Sequence, residues 1–224
     1  MIQQGGGSRE QRAMLATIEA YLAECAGSTG VARLTPGVRE ALLATPRERF
    51  LPEALRAEAY ADRAVPIGCG QTLSQPLIVA LMTELLQPRA SDRVLEVGTG
   101  SGYQAAVLAR LVGQVYSLEI IELLARQARA RLAALGLTNV EVIVGNGALG
   151  LPAQAPFDKI IITAAAPAVP AALIDQLAPG GLIVAPLGEQ WYGQALTVLS
   201  RDAAGTLTRR EVLSVSFVPF VQWQ

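Results

Sequence analysis

Apolar residues recur every three to four positions over Arg9–Ala26, with Met14, Leu15, Ile18 and Leu22 on one face and Arg, Gln and Glu opposite. That period predicts an amphipathic helix. Residues 1–8, rich in Gly and Gln, show no such period and are expected to form a disordered lead. Gly27–Gly30 interrupts the pattern, and Thr35-Pro36 restarts it. Threonine as N-cap and proline in the first turn predict a second helix to about Ala44. Pro46–Pro52 reads as a proline-bounded connector and Ala59–Leu73 as irregular chain with tight turns at Gly68 and Gly70. A third helix is expected over Gln75–Leu86.

Beyond Arg93 the period alternates. Strands are expected at Arg93–Val97, Gln114–Leu118, Val140–Val144, Lys159–Thr163 and Leu182–Pro186. Helices are expected at Tyr103–Val112, Ile121–Leu135 and Pro170–Leu177. Such alternation predicts an α/β fold with a doubly wound, Rossmann-like and mostly parallel sheet. The tail changes character: Ala195–Arg201 and Arg209–Val218 are β-rich around a turn at Gly205. They predict an antiparallel C-terminal hairpin on the same sheet. No repeat or linker divides the chain, so residues 1–224 are expected to form one domain, in which 9–90 supply a helical cover and substrate side and 91–224 a cofactor-binding sheet.

Bulk composition narrows the chemistry. Eighteen basic and nineteen acidic residues leave a formal charge of −1, with no basic stripe for nucleic acid. No stretch approaches a membrane span, and Cys25 and Cys69 form no disulfide framework or metal cluster, so a cytoplasmic, metal-free protein is expected. Cys69 reads as a small buried residue. The chain has no histidine, which removes Ser-His-Asp and Cys-His catalysis together with imidazole proton shuttling. Chemistry on a nucleophile that is already ionised fits this composition.

The most informative stretch is Val94-Leu95-Glu96-Val97-Gly98-Thr99-Gly100-Ser101-Gly102. It reads as a parallel strand leaving the sheet through a tight turn into a helix, with side chains missing where a ligand would approach the backbone. The spacing G-x-G-x-G differs from the dinucleotide pattern G-x-G-x-x-G. Glu96, just before the first glycine, would repel a diphosphate and suit a cationic ligand such as S-adenosylmethionine. Glu119 ends the next strand at the spacing an acid needs to reach the two hydroxyls of a ribose. A helix-start acid favoured by the dipole is its structural role, and the two roles can hold together.

Several further blocks accompany the loop: Tyr60-Ala61-Asp62, Pro66 to Pro76, Glu96 to Gln104, Ala155-Pro156-Phe157-Asp158, Thr163-Ala164-Ala165 and Phe217-Val218-Pro219. In this order they resemble the protein-L-isoaspartate O-methyltransferases, within the class I S-adenosylmethionine-dependent methyltransferases, from about Val38 to Pro219. The resemblance implies methyl transfer to the free α-carboxylate of L-isoaspartyl residues in damaged proteins and peptides, with closure to a succinimide and partial return to the normal linkage. It implies S-adenosyl-L-methionine as cofactor, S-adenosyl-L-homocysteine as product, and cofactor contacts at Glu96, Gly98, Thr99, Gly100, Gly102, Glu119, Asn146 and Gly147. Ser74 becomes the active-site residue that orients the carboxylate, with Thr72 and Val218 as substrate-side contacts. From spacing alone, Ser74 reads first as the N-cap of the helix that follows, and only the surrounding motif shifts the reading to the active site.

Two positions depart from the family pattern. Asn146 stands where the family usually has aspartate, and as Asn-Gly it is also ordinary turn chemistry. Ile120 replaces an arginine that many relatives carry after the ribose-binding acid. Trp191-Tyr192 reads either as a border of the peptide groove or as a surface aromatic pair. These departures leave room for a same-fold enzyme acting on another carboxylate, or for a non-catalytic cofactor-binding relative. A nicotinamide dehydrogenase is disfavoured by the glycine offset and by Glu96.

Overall fold

The computed structural model describes residues 7–189 and 193–221. The expected lead over 1–6 and the pair Trp191-Tyr192 lie outside the described residues. Helix α1 (Arg9–Glu24) opens with a reciprocal capping box, in which the Ser8 side chain accepts from Gln11 N and the Gln11 side chain accepts from Ser8 N. Ser8 is thus part of ordered structure, not of a free lead. A single turn, α2 (Ala26–Thr29), ends in the left-handed Gly30. Helix α3 (Pro36–Ala44) starts on the Thr35 cap with proline at its first turn, as its sequence predicts. Two 3-10 turns follow, Arg47–Phe50 and Glu53–Glu58.

The segment expected to be irregular forms a small antiparallel hairpin, β1 (Val65–Gly68) with β2 (Gln71–Leu73). Its turn is carried by three successive positive-φ residues, Gly68 (95°), Cys69 (53°) and Gly70 (70°). Cys69 is therefore exposed at a hairpin tip, contrary to the buried position expected from its size and apolar character. Helix α4 (Pro76–Leu86) then leads into the main sheet.

That sheet has seven strands in the order β5-β4-β3-β6-β7-β8-β9. Strands β3 (Arg93–Val97), β4 (Gln114–Glu119), β5 (Val140–Val144), β6 (Phe157–Ile162) and β7 (Leu177–Glu189) are parallel. Strands β8 (Gly193–Arg201) and β9 (Leu207–Val215) add the antiparallel hairpin at the edge. The doubly wound, mostly parallel fold is as expected. Helices α5 (Tyr103–Leu108), α6 (Glu122–Ala134) and α7 (Ala171–Asp175) connect the parallel strands.

Several boundaries differ from expectation: β7 runs over Leu177–Glu189, β9 ends at Val215, and helices α5 and α7 stop early. Helix α5 stops at Leu108 because Arg110 N and Leu111 N bond three residues back, and the Asp92 carbonyl takes Gly113 N and Gln114 N to start β4. Helix α7 stops at Asp175 because the Gln176 carbonyl accepts Phe157 N, and Leu177 pairs with Phe157 at the head of β7. Both faces of the sheet are covered: Val94, Ile161 and Val184 join the core under the N-terminal helices, while Leu95, Ile160, Ile162 and Ile183 build the opposite one.

Candidate active site

The chain moves outward from β3 in both directions, first to β4 and β5, then to β6 and β7. This is the topological switch point at which open α/β sheets bind ligands, beyond the carboxyl ends of the strands. A cavity lies there, walled by the Gly98–Ser101 loop, the tips of β4 and β6, the β1–β2 hairpin and the segment Val218–Val221.

All three loop glycines have positive φ: 99° at Gly98, 53° at Gly100 and 90° at Gly102. They differ in what surrounds them. A Cβ on Gly98 would lie 2.4 Å from Thr163 Oγ1, and one on Gly102 would lie 3.2 Å from the Ala128 Cβ of α6. Gly100 lines the cavity, and its Cβ would meet only Ile67 at 3.4 Å. Gly100 thus leaves its backbone open to the cavity, whereas neighbour packing also demands glycine at Gly98 and Gly102. Thr99 lines the same wall.

Glu119 faces the cavity at the end of β4. Its Oε2 accepts the Gly100 N–H at 2.7 Å and its Oε1 accepts the Ile121 N–H at 2.9 Å. Each oxygen keeps a further lone pair, the geometry a vicinal diol requires. Glu96 does otherwise. Its side chain is fully buried and does not line the cavity. It accepts from the Ser117 hydroxyl, which lies 2.6 Å from the Thr99 hydroxyl, so it sits behind the loop and not against a ligand. Burial pushes its carboxyl up to about 8, the neighbouring Glu119 adding to the rise while the Ser117 hydrogen bond opposes it. Near neutrality Glu96 is a neutral acid supporting the loop. Side-chain alternation explains the difference from expectation, because Glu96 pairs in register with Ser117 inside the sheet and does not project beyond the strand end.

Gly145 and Gly147 line the cavity, but Asn146 between them does not. Asn146 Oδ1 accepts the Ala148 N–H at 3.0 Å and caps the 3-10 turn Gly147–Leu149, which is the turn role its sequence allows. A Cβ on Gly147 would fall 2.3 Å from Val97 Cγ1, so this loop packs directly on the end of β3.

Ser74, Thr72, Thr163 and Val218 line this cavity and also an adjoining groove bounded by Tyr21, Leu77, Ile78 and the chain from Leu213 to Phe217. The groove opens onto the cavity at these four residues. Ser74 is not the cap of α4: that position is Gln75, and the Leu77 N–H is taken by Asp62 Oδ1 at 3.1 Å. Among the described residues the Ser74 hydroxyl has no hydrogen-bond partner. Val218 is fixed by its carbonyl, which accepts the Ala165 N–H at 2.9 Å, and the Gln194 side chain holds Phe217 through both backbone groups.

Thr163 escaped the sequence reading as a site residue. Its hydroxyl donates to the Gly98 carbonyl at 2.6 Å, and its side chain faces both cavity and groove. Its position at the end of the strand beside the glycine-loop strand was the available signal. Tyr103 also lines the cavity; its place in the helical period marks it only as core. Ile120 is on the cavity wall, where an apolar side chain suits the flat face of a base.

The open glycine cradle, the diol-matched Glu119 and the apolar wall fit a nucleoside ligand. The family profile for Protein-L-isoaspartate(D-aspartate) O-methyltransferase (PCMT) matches residues 24–224. This chain belongs to the protein-L-isoaspartate O-methyltransferase family. It is 56% identical over 183 residues to the protein-L-isoaspartate O-methyltransferase of Anaeromyxobacter dehalogenans strain 2CP-1, covering 81% of this chain and 88% of the relative. It is 55% identical over 182 residues to protein-L-isoaspartate O-methyltransferase 2 of Nitrosococcus oceani, covering 81% and 83%. A solved protein-L-isoaspartate O-methyltransferase superposes with a TM-score of 0.81 at 28% identity, over 93% of this chain and 65% of that longer one. A Plasmodium falciparum structure in complex with S-adenosyl-L-homocysteine shares the fold with a TM-score of 0.77 at 22% identity, covering 96% and 99% of the two chains.

Proposed function

We propose that this methyltransferase transfers the methyl group of S-adenosyl-L-methionine to the free α-carboxylate of L-isoaspartyl residues in damaged proteins and peptides. The ester formed then closes to a succinimide, whose hydrolysis restores part of the normal linkage. One observation carries the reading: the donor cavity with Glu119 and the glycine loop adjoins a second groove at the unpartnered hydroxyl of Ser74. A polypeptide lying in the groove would place one carboxylate at that junction.

When bound, S-adenosyl-L-methionine supplies an electrophilic methyl group on a sulfonium. The residues of the chain have no proton to move. An α-carboxylate titrates at roughly 3–4 and is already the nucleophile at neutral pH. The carboxylate oxygen gains the methyl carbon as the carbon–sulfur bond breaks, and the electron pair stays on sulfur. Ser74 donates a hydrogen bond that orients the carboxylate, Thr72 flanks it, and Val218 on the groove wall meets the peptide. Glu119 holds the ribose, while Gly98, Thr99, Gly100, Gly102 and Gly147 shape the cradle. Asn146 supports that cradle through its turn, and Glu96 does so through Ser117 and Thr99. Positioning of this kind can supply about 7–11 kcal/mol in favourable cases.

The reading treats residues 1–224 as one working unit. Among the described residues no helix is long and apolar enough to cross a membrane. The unpaired Cys25 and Cys69 suit a reducing cytoplasm as the place of action. The test is methyl incorporation from labelled cofactor into a matched pair of peptides that differ only in isoaspartyl or aspartyl linkage. Selective labelling of the isoaspartyl member is expected. Equal labelling of both, or none, would overturn the proposal.

A further inference from the structure

Behind Ser74 lies a buried guanidinium. Arg47, in the 3-10 turn after α3, is 0% exposed. Its Nε donates to the Ala59 carbonyl at 2.8 Å and its Nη2 to the Ser74 carbonyl at 2.5 Å. The guanidinium carbon stands 5.0 Å from the centroid of the Tyr103 ring, which Phe50 meets edge-on at 5.3 Å. Tyr103 follows Gly102 directly and lines the donor cavity. Arg47 therefore touches the segment that carries the acceptor-side serine and the first residue after the donor loop.

Packing alone does not account for this arrangement. Arg47 Nη1 and the Tyr103 hydroxyl are both buried and make no well-formed hydrogen bond among the described residues; the two side chains face each other. None of the ion pairs formed by those residues includes Arg47. A buried charge with an unsatisfied donor costs stability, and apolar residues of similar volume commonly replace such groups without loss. Here the guanidinium bonds the carbonyls of two separate chain segments, at Ala59 and Ser74. Just after Ser74 in the same segment, the exposed Asp62 takes hold: its Oδ2 accepts from the Gln75 side chain at 2.8 Å and its Oδ1 accepts Leu77 N at 3.1 Å. Ser74 is gripped through its carbonyl from within and through its successor from without, which leaves its hydroxyl free.

We infer that Arg47 and Asp62 are positioning residues that clamp the Ser74 segment, and that Arg47, stacked on Tyr103, ties the acceptor half of the site to the glycine-loop half. The inference rests on the reading of Ser74 as the residue that orients the carboxylate. A planar fork is needed to reach two carbonyls while stacking on a ring, so lysine cannot replace it. Asp62 is exposed, so its variant tests the clamp with the core intact.

The experiment uses the full chain. Turnover of an isoaspartyl peptide is measured for Arg47→Lys, Asp62→Asn, Ser74→Ala and Arg47→Lys/Ser74→Ala, each divided by the S-adenosylhomocysteine sites titrated in the same sample. Arg47→Lys and Asp62→Asn are each expected to lower kcat per site by about tenfold while the Kd for S-adenosylhomocysteine stays within about twofold. Because Arg47 acts through Ser74, adding Arg47→Lys to Ser74→Ala should cost less than about twofold more. Full turnover per site in Asp62→Asn and in any Arg47→Lys that binds the product would overturn the clamp, as would losses that multiply in the double variant. Unchanged turnover in Ser74→Ala would instead remove the reading of Ser74 on which the clamp rests.

Discussion

The carboxylate of Glu119 reaches back from the tip of β4 to accept the backbone N–H of Gly100 at 2.7 Å. One side chain thereby holds the middle of the glycine loop and presents its remaining lone pairs to the cavity. Glu119→Ala should raise the Kd for S-adenosylhomocysteine by about 10- to 100-fold, since hydrogen bonds to charged groups contribute roughly 1.5–3 kcal/mol. Isothermal titration checks this. An affinity unchanged by the substitution would show that the ribose is held elsewhere.

Ser74→Ala should leave that affinity within about twofold while lowering kcat/KM for an isoaspartyl peptide by at least about tenfold. Steady-state kinetics beside the same titration separate the two effects. Equal loss of product binding and turnover would make Ser74 a structural residue of the cavity wall.

Glu96 sets a pH dependence of stability. Its carboxyl is raised from an ordinary 4.5 to about 8 by burial. Between those values the folded protein keeps a proton that the unfolded chain releases, so the folded state binds more protons. Its destabilising effect is absent below about pH 4.5, grows as pH rises through that window, and is complete above about pH 8. Glu96→Gln retains the neutral shape and removes the titration. Its melting temperature relative to the parent should therefore rise between pH 6 and pH 9, by about 2–4 °C for each kcal/mol released. Scanning calorimetry at the two values measures it, and a constant offset would contradict the assignment.

The glycines make a paired stability prediction. Gly98→Ala meets a left-handed backbone and the Thr163 hydroxyl at 2.4 Å, whereas Gly136→Ala meets a left-handed backbone with no atom near its Cβ. Urea unfolding should show a loss of about 1 kcal/mol at Gly136, from backbone conformation alone, and of at least about 2 kcal/mol at Gly98. Similar losses at the two sites would mean that Thr163 moves aside freely.

The parallel sheet was legible because β3, β4 and β6 are apolar runs closed by glycine, acid or threonine, and fully buried strands carry that pattern. The β1–β2 hairpin was not, since strands this short around Gly68-Cys69-Gly70 give no period to read. Glu119 was legible as a residue of the cavity wall because strand-end position and loop spacing are local properties. Glu96 and Asn146 were not, because which way a side chain turns at a strand end depends on Ser117 and Ala148, contacts that no spacing encodes. Arg47 was invisible for the same reason: in sequence it is one more charge in a proline-bounded connector, and only the fold buries it against Ser74 and Tyr103.

The most direct measurement is a crystal structure of this chain with S-adenosyl-L-homocysteine and an isoaspartyl peptide bound together. The ribose hydroxyls are expected on Glu119 and the peptide α-carboxylate within hydrogen-bond distance of Ser74 Oγ, one oxygen directed at the methyl-bearing side of the sulfur. A nucleoside lodged away from the Gly98–Gly102 turn, or a carboxylate turned from Ser74, would contradict it.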